Sequence, residues 1–231
     1  MSSSLYYKDC GSGQALVLLH GNGEDHSIFA EQIAFFAPHF RVIAIDSIGH
    51  GQSPDFVGKL SYEKLADEIE NLLAELKIEK YRIIGFSDGG IIALLLALRN
   101  PKKIAQMILI GANYRPAGMK WHIRLVIFWY YLVGGLRYLL SGFSKNRKWQ
   151  QQLLQLMLFQ PNIREIVLQK ISVNTLLAVG DNDMIRLSHT KKLASLLSNC
   201  KINVLKNCNH FVLQQQPEEF NRLANDFLET A

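Results

Sequence analysis

The amino-acid sequence predicts an α/β protein: a mostly parallel central sheet with helices on both faces and an inserted helical cap. Three observations carry that expectation. Short apolar runs alternate with amphipathic ones along most of the chain, as buried parallel strands joined by helices do. One of those runs ends in "GFSDGG" at 85–90, where a serine stands between glycines just ahead of an apolar stretch. The alternation breaks once, over 113–171, where the pattern turns helical, aromatic and basic. The expected organisation is a core domain of 1–112 and 172–231 interrupted by a helical cap of 113–171.

Taken in order, "ALVLLH" (15–20) reads as a buried strand that ends at a glycine-rich loop. "SIFAEQIAFFAP" (27–38) reads as a helix stopped near Pro38, and "FRVIAID" (40–46) as the next strand. Over 61–78, Ser61 is a plausible cap, and Leu65, Ile69, Leu72, Leu73 and Leu76 recur at helical spacing. "YRIIGF" (81–86) is a strand, and 88–99 is apolar all round, hence a buried helix. "IAQMILIGA" (104–112) follows as a strand. After the break come a strand running into an acidic loop (173–183), a helix (189–199), a strand (201–206) and a closing helix (217–230).

Composition removes several classes of function. A chain of 231 residues, 48% hydrophobic and 19% charged, is ordinary for one folded domain and rules out a disordered chain. "MSSSLYYKDCGSG" lacks the basic start and apolar segment of a signal peptide. Cys10, Cys200 and Cys208 are odd in number and form no CxxC pair, which predicts free thiols and a cytoplasmic protein. Cys208 and His210 make a C-x-H with no further ligand, so no metal is expected, and "GSGQ" precedes a strand, not the helix a phosphate loop requires. Charge is uneven: nine Lys/Arg and one acid between Tyr114 and Lys170 give +8, against −3 for the remainder. No nucleic-acid motif accompanies that basic segment, so no nucleic-acid partner is expected. Residues 121–140 approach one bilayer span in length, but Arg124, Arg137 and Gly134–Gly135 interrupt them, and the clean apolar part is too short to cross.

The serine motif carries chemistry. A strand that turns sharply into a helix places its turn residue in a strained conformation, which small neighbours two residues away permit. Gly85, Ser87 and Gly89 meet that demand and lift the serine oxygen above the carboxyl edge of the sheet. A serine alcohol needs a base, and the base needs an orienting carboxylate. His210 follows one late strand; Asp183, with Asp181 as a near rival, follows another. Attack on a carbonyl also requires backbone N–H donors for the oxyanion. Asp88, directly after the serine, and Asn22, in "HGNG" (20–23), are the candidates.

These residues resemble the α/β-hydrolase family over nearly the whole chain. The likeness rests on "LLHGNG", "IDSIGHGQS" (45–53), "GFSDGG", "VGDNDM" and "NHF". The resemblance implies that Gly180 selects Asp183 over Asp181, and that the chain starts close to the family's second strand without the usual first one. The body is most similar to esterase and enol-lactonase-like members, and "GFSDGG" also to hydrolases of amino-ester prodrugs. The resulting expectation is a cofactor-free serine hydrolase acting on a small-molecule carboxylic ester or related acyl compound through an acyl-enzyme. A lyase or carbon–carbon hydrolase with the same residues is one alternative, and a non-catalytic ligand-binding protein of the same fold is another. Relatives with a carboxylate nucleophile are disfavoured by Ser87.

Secondary roles are also expected. His20 packs behind the oxyanion loop, and Asp46, Gly49, Gly51 and Ser53 shape a turn. The Asp88 carboxylate either caps its helix or meets a cationic substrate group. In the cap, Trp121, Phe128, Trp129 and Tyr130 are candidate substrate-binding residues. The basic, aromatic character of the segment suits peripheral contact with an anionic membrane surface.

Overall fold

The computed structural model describes residues 5–229; residues 1–4, within the segment read for targeting, and residue 230, in the closing helix as read from sequence, lie outside it. The strands are β1 (Tyr7–Cys10), β2 (Ala15–Leu19), β3 (Arg41–Ile45), β4 (Tyr81–Phe86), β5 (Ile104–Ile110), β6 (Asn174–Gly180) and β7 (Cys200–Leu205). The helices are α1 (Ala30–Phe36), α2 (Tyr62–Glu75), α3 (Asp88–Arg99), α4 (Trp121–Leu140), α5 (Lys145–Phe159), α6 (Glu165–Leu168), α7 (Leu187–Leu196), α8 (Val212–Gln215) and α9 (Pro217–Glu229). One sheet runs β1-β3-β2-β4-β5-β6-β7, parallel throughout except for β1.

Both faces of the sheet are covered, which is why its strands read as unbroken apolar runs. Val17, Leu19, Ile83, Met107 and Leu109 turn to one face and pack with Leu65 and Ile69 of α2, Ile92 and Leu96 of α3, and Leu193 of α7. Their sequence neighbours Leu16, Leu18, Ile84, Ile108 and Ile110 turn to the other and pack with Ile33 and Phe36 of α1 and Phe220, Ala224 and Phe227 of α9. The α2 boundary follows local chemistry: Ser61 is the N-cap, its side chain accepting from the Lys64 N–H. The chain leaves β2 toward β3 on one side and returns to β4 on the other. The switch between β2 and β4 opens a crevice at their carboxyl ends, where ligands of open α/β sheets bind.

Three findings differ from the sequence reading. The sequence reading gives no strand ahead of "ALVLLH", and the structure has one: β1 pairs antiparallel with β3 at the sheet edge. Its four residues, with Lys8 and Asp9 exposed, carry no apolar run to betray it. The segment expected to be one helix over 27–38 is a 3₁₀ turn, His26–Phe29, followed by the shorter α1. Helix α4 runs unbroken through Gly134 and Gly135, and the Gln151 side chain of α5 lies where a Cβ on Gly134 would project.

Between β5 and β6 the chain builds α4, α5 and α6. Gly134 opposite Gln151, and Tyr131 bonded to Gln155, show α4 and α5 packed antiparallel across the turn at 141–144. Helix α5 rests on the body. The Leu60 N–H donates to Gln152 Oε1 at 2.7 Å, and Trp149 stacks edge-on against His50 over Gly49.

The layered core makes a direct stability prediction. Phe220→Ala, at a side chain with no exposed surface, is expected to cost about 3–5 kcal/mol in urea unfolding. Val57→Ala, at a residue 92% exposed, should stay within about 0.5 kcal/mol.

Candidate active site

Ser87 stands between β4 and α3 at φ 52°, ψ −112°, a conformation that costs a non-glycine residue on the order of 1–3 kcal/mol. The surroundings hold it there. Its N–H donates to Ile110 O at 2.7 Å, and the Gly90 N–H donates back to Ser87 O at 3.0 Å. Gly89 must be glycine because a Cβ would drive into the Leu19 carbonyl of β2, and a Cβ at Gly85 would meet the Gly89 backbone. The glycines thus let α3 descend onto the sheet immediately after the turn.

The structure brings Ser87, His210 and Asp183 into one line. His210 Nε2 lies 3.0 Å from Ser87 Oγ, and His210 Nδ1 lies 2.8 Å from Asp183 Oδ1. A carboxylate only accepts, so Nδ1 carries the proton and Nε2 faces the serine hydroxyl as the acceptor. Asp183 is buried, and its Oδ1 also accepts from the Ile185 N–H at 2.7 Å, which orients the carboxylate. Its Oδ2 is buried without a hydrogen-bond partner. Asp181 goes elsewhere: it accepts from the Asn207 and Cys208 N–H groups and braces the loop that delivers His210. Beneath the pair lies Gly111, at φ 58°, where a Cβ would come within 2.6 Å of His210 Cε1 and 3.1 Å of Asp183 Oδ2. The sequence reading passed over Gly111, although a glycine at the end of a strand ("LIGA") was a signal for close approach.

The two segments expected to hold an oxyanion are tied to each other. Asn22 Nδ2 donates to Asp88 Oδ2 at 2.9 Å and to Leu153 O of α5 at 3.3 Å. The Tyr62 hydroxyl donates to the other oxygen, Asp88 Oδ1, at 2.7 Å. With both oxygens engaged and buried, the Asp88 carboxylate neither caps α3 nor faces a cationic ligand, and burial raises its pKa. Asp88 N–H, at the first position of α3, has no helical carbonyl four residues behind it, since the preceding chain is strand. Tyr62 is a second residue that the sequence reading did not single out; it shares the buried face of α2 with Leu65 and Ile69, and no local motif marks its hydroxyl.

The oxyanion-side loop is braced from below. His20 accepts from the Ser47 N–H through Nε2 at 2.9 Å, so Nδ1 donates to Gly21 O at 2.8 Å. Burial lowers its pKa to about 4 and keeps it neutral. Asp46 accepts from the His26 N–H and ring through Oδ1 and from the Gln52 N–H through Oδ2, while Ser53 Oγ donates to its carbonyl. Among the described residues, Asp25, His26 and Asp46 are the grouping with metal-ligand atoms close together. Both Asp46 oxygens already serve the loop, which accounts for the cluster without an ion.

Trp121, Phe128, Trp129 and Tyr130 do not reach this site. They are 75%, 41%, 60% and 66% exposed: α4 turns Ile123, Ile127, Tyr131 and Gly134 inward at helical spacing and Trp121, Phe128 and Trp129 away, while Tyr130, on the flank of the inward face, still opens to solvent. The expectation that they bind substrate is corrected accordingly.

Glu24, four residues past His20, accepts from the Gly21 N–H at 3.1 Å. Burial pushes its pKa up to about 7. Folded, it therefore holds a proton that the unfolded chain releases near pH 4.5, so it lowers stability as pH rises from about 4.5 through 7. Glu24→Gln is expected to be less destabilised than wild type on going from pH 5 to pH 8 in denaturant titrations; equal losses in both would contradict the assignment.

Comparison with known proteins agrees with this geometry. The family model described as α/β hydrolase fold matches residues 14–153. The chain is 26% identical to the 2-hydroxy-6-oxo-6-phenylhexa-2,4-dienoate hydrolase of Comamonas testosteroni, covering 97% of this chain and 91% of that one. It is 30% identical to the pimeloyl-[acyl-carrier protein] methyl ester esterase of Vibrio campbellii over 49% of this chain and 42% of that one. The crystal structure of a meta-cleavage product hydrolase variant superposes with a TM-score of 0.80 at 25% identity, covering 98% of this chain and 95% of that one. The chain belongs to the α/β-hydrolase fold family, a family of hydrolytic enzymes.

Proposed function

We propose that the protein is a serine hydrolase that cleaves a carboxylic ester or related acyl compound through an acyl-enzyme, with residues 113–171 as its cap. The observation that carries this reading is the hydrogen-bonded line Ser87–His210–Asp183, with the serine held on a strained turn. In the forward step, Ser87 Oγ attacks the carbonyl carbon while its proton passes to His210 Nε2. Asp183 keeps the ring oriented and supports the imidazolium. Backbone N–H groups of Asn22 and Asp88 receive the negative oxygen, and the dipole of α3 adds to their field. His210 then protonates the leaving alcohol. Water, deprotonated by His210, attacks the acyl carbon, and the carboxylic acid departs as Ser87 recovers its proton. No step calls for a cofactor.

A second reading, hydrolysis of a carbon–carbon bond, is favoured by a specific observation: the match to the Comamonas testosteroni dienoate hydrolase spans almost the whole of both chains. The ester reading draws on the Vibrio campbellii esterase, whose match covers about half of this chain.

A ladder of p-nitrophenyl esters from acetate upward, run beside a 2-hydroxy-6-oxo-dienoate, separates these. Ester turnover is expected, with kcat/KM falling on the order of 10⁶-fold in Ser87→Ala and on the order of 10⁴-fold in Asp183→Asn. Turnover confined to the dienoate would establish the carbon–carbon reading. Hydrolysis of neither would leave a binding protein built on the same fold.

A further inference from the structure

The outer face of α4 is the feature that hydrolysis does not explain. The helix is 20 residues long, and Ile127 is its only buried residue. Leu125, Trp129, Leu132 and Leu136 fall on one stripe opposite Ile127 and are 48%, 60%, 44% and 59% exposed; Leu139 and Leu140 continue the surface. A monomer in water rarely leaves so large a contiguous apolar surface open, and such a surface marks a contact with a protein or a membrane.

Charge and topology choose between occupants. Lys120 directly precedes α4, Arg124 and Arg137 lie on it, Lys145, Arg147 and Lys148 lie in the first turn of α5, and no acid occurs from Tyr114 to Arg164. Among the described residues, none of these six cations forms an ion pair. A cleft of about 580 Å³ along the α4–α5 seam, lined by Tyr131, Tyr138, Gln151, Gln155, Lys59 and Lys148, meets the apolar surface at Leu139 and so brings two cations to its edge. A second copy of this chain would bring the same positive charge against itself, whereas an anionic bilayer complements both the apolar stripe and its rim. Helix α4 is long and apolar enough to cross a membrane, but the fold holds both of its ends on one side. The Lys120 N–H bonds to Met184 O at the start, and after the turn at 141–144 helix α5 returns to the body through Trp149, Gln152 and Leu153.

We propose that the outer face of α4 docks the protein on an anionic lipid surface, with the helix lying in the interface plane and the basic residues at the headgroups. Co-sedimentation with vesicles of phosphatidylcholine and phosphatidylglycerol, against vesicles of phosphatidylcholine alone, tests it. The wild type is expected to bind the anionic vesicles, with a blue shift of the emission of Trp121 and Trp129. Raising salt should weaken the association. Leu125→Glu/Leu132→Glu/Leu136→Glu and Lys145→Glu/Arg147→Glu/Lys148→Glu should each weaken it about tenfold or more. Circular dichroism and ester turnover in solution report whether these exposed-site variants remain folded. Absence of wild-type binding to anionic vesicles would overturn the proposal, as would binding that the apolar triple variant leaves unchanged. A dimer in light scattering that this variant disperses, without vesicle binding by the wild type, would assign the face to a second copy instead.

Discussion

The site depends on one close approach: α3 packs onto the sheet directly after β4, with Gly89 against the Leu19 carbonyl. No side chain fits there, so the chain must turn within a single residue, and Ser87 absorbs the turn at a positive φ. The cost of that conformation is met by the helix and strands it joins, chiefly through the Ser87 N–H bond to β5 and the burial of nearly all of α3. The same approach projects the serine oxygen over the carboxyl edge, where the loops after β2, β6 and β7 converge. Strain and function here share one geometric cause.

A polar chain then joins the site to the helical insertion. Tyr62 of α2 holds one oxygen of Asp88, Asn22 holds the other, and Asn22 also reaches the Leu153 carbonyl of α5. The loop proposed to receive an oxyanion is therefore bonded on one side to the turn that carries the nucleophile and on the other to the insertion. Helix α5 also touches the body through Trp149, which stacks edge-on against His50.

Much of this was legible from sequence where short motifs fall at strand ends. The buried parallel strands announce themselves as apolar runs, and Ser87, Asp183 and His210 each follow such a run closely enough to be placed at one edge. What stayed hidden depends on tertiary approach. The partners of the Asp88 carboxylate come from 26 and 66 residues away, a choice that no local pattern records. Strand β1 is a polar edge strand and has no hydrophobic alternation to read. The misplacement of Trp121, Phe128, Trp129 and Tyr130 has a similar origin: apart from His122, Arg124 and Arg137, α4 is apolar or aromatic on every side, so its sequence has no strong period that separates the face packed on α5 from the face turned outward.

The central claim is that Ser87 is an activated nucleophile, and covalent capture tests it most directly. Treating the protein with a fluorophosphonate and locating the adduct by peptide mass spectrometry should find a single phosphonylated residue, Ser87, within the peptide that contains "GFSDGG". An unmodified Ser87, or an adduct on another residue, would contradict the account.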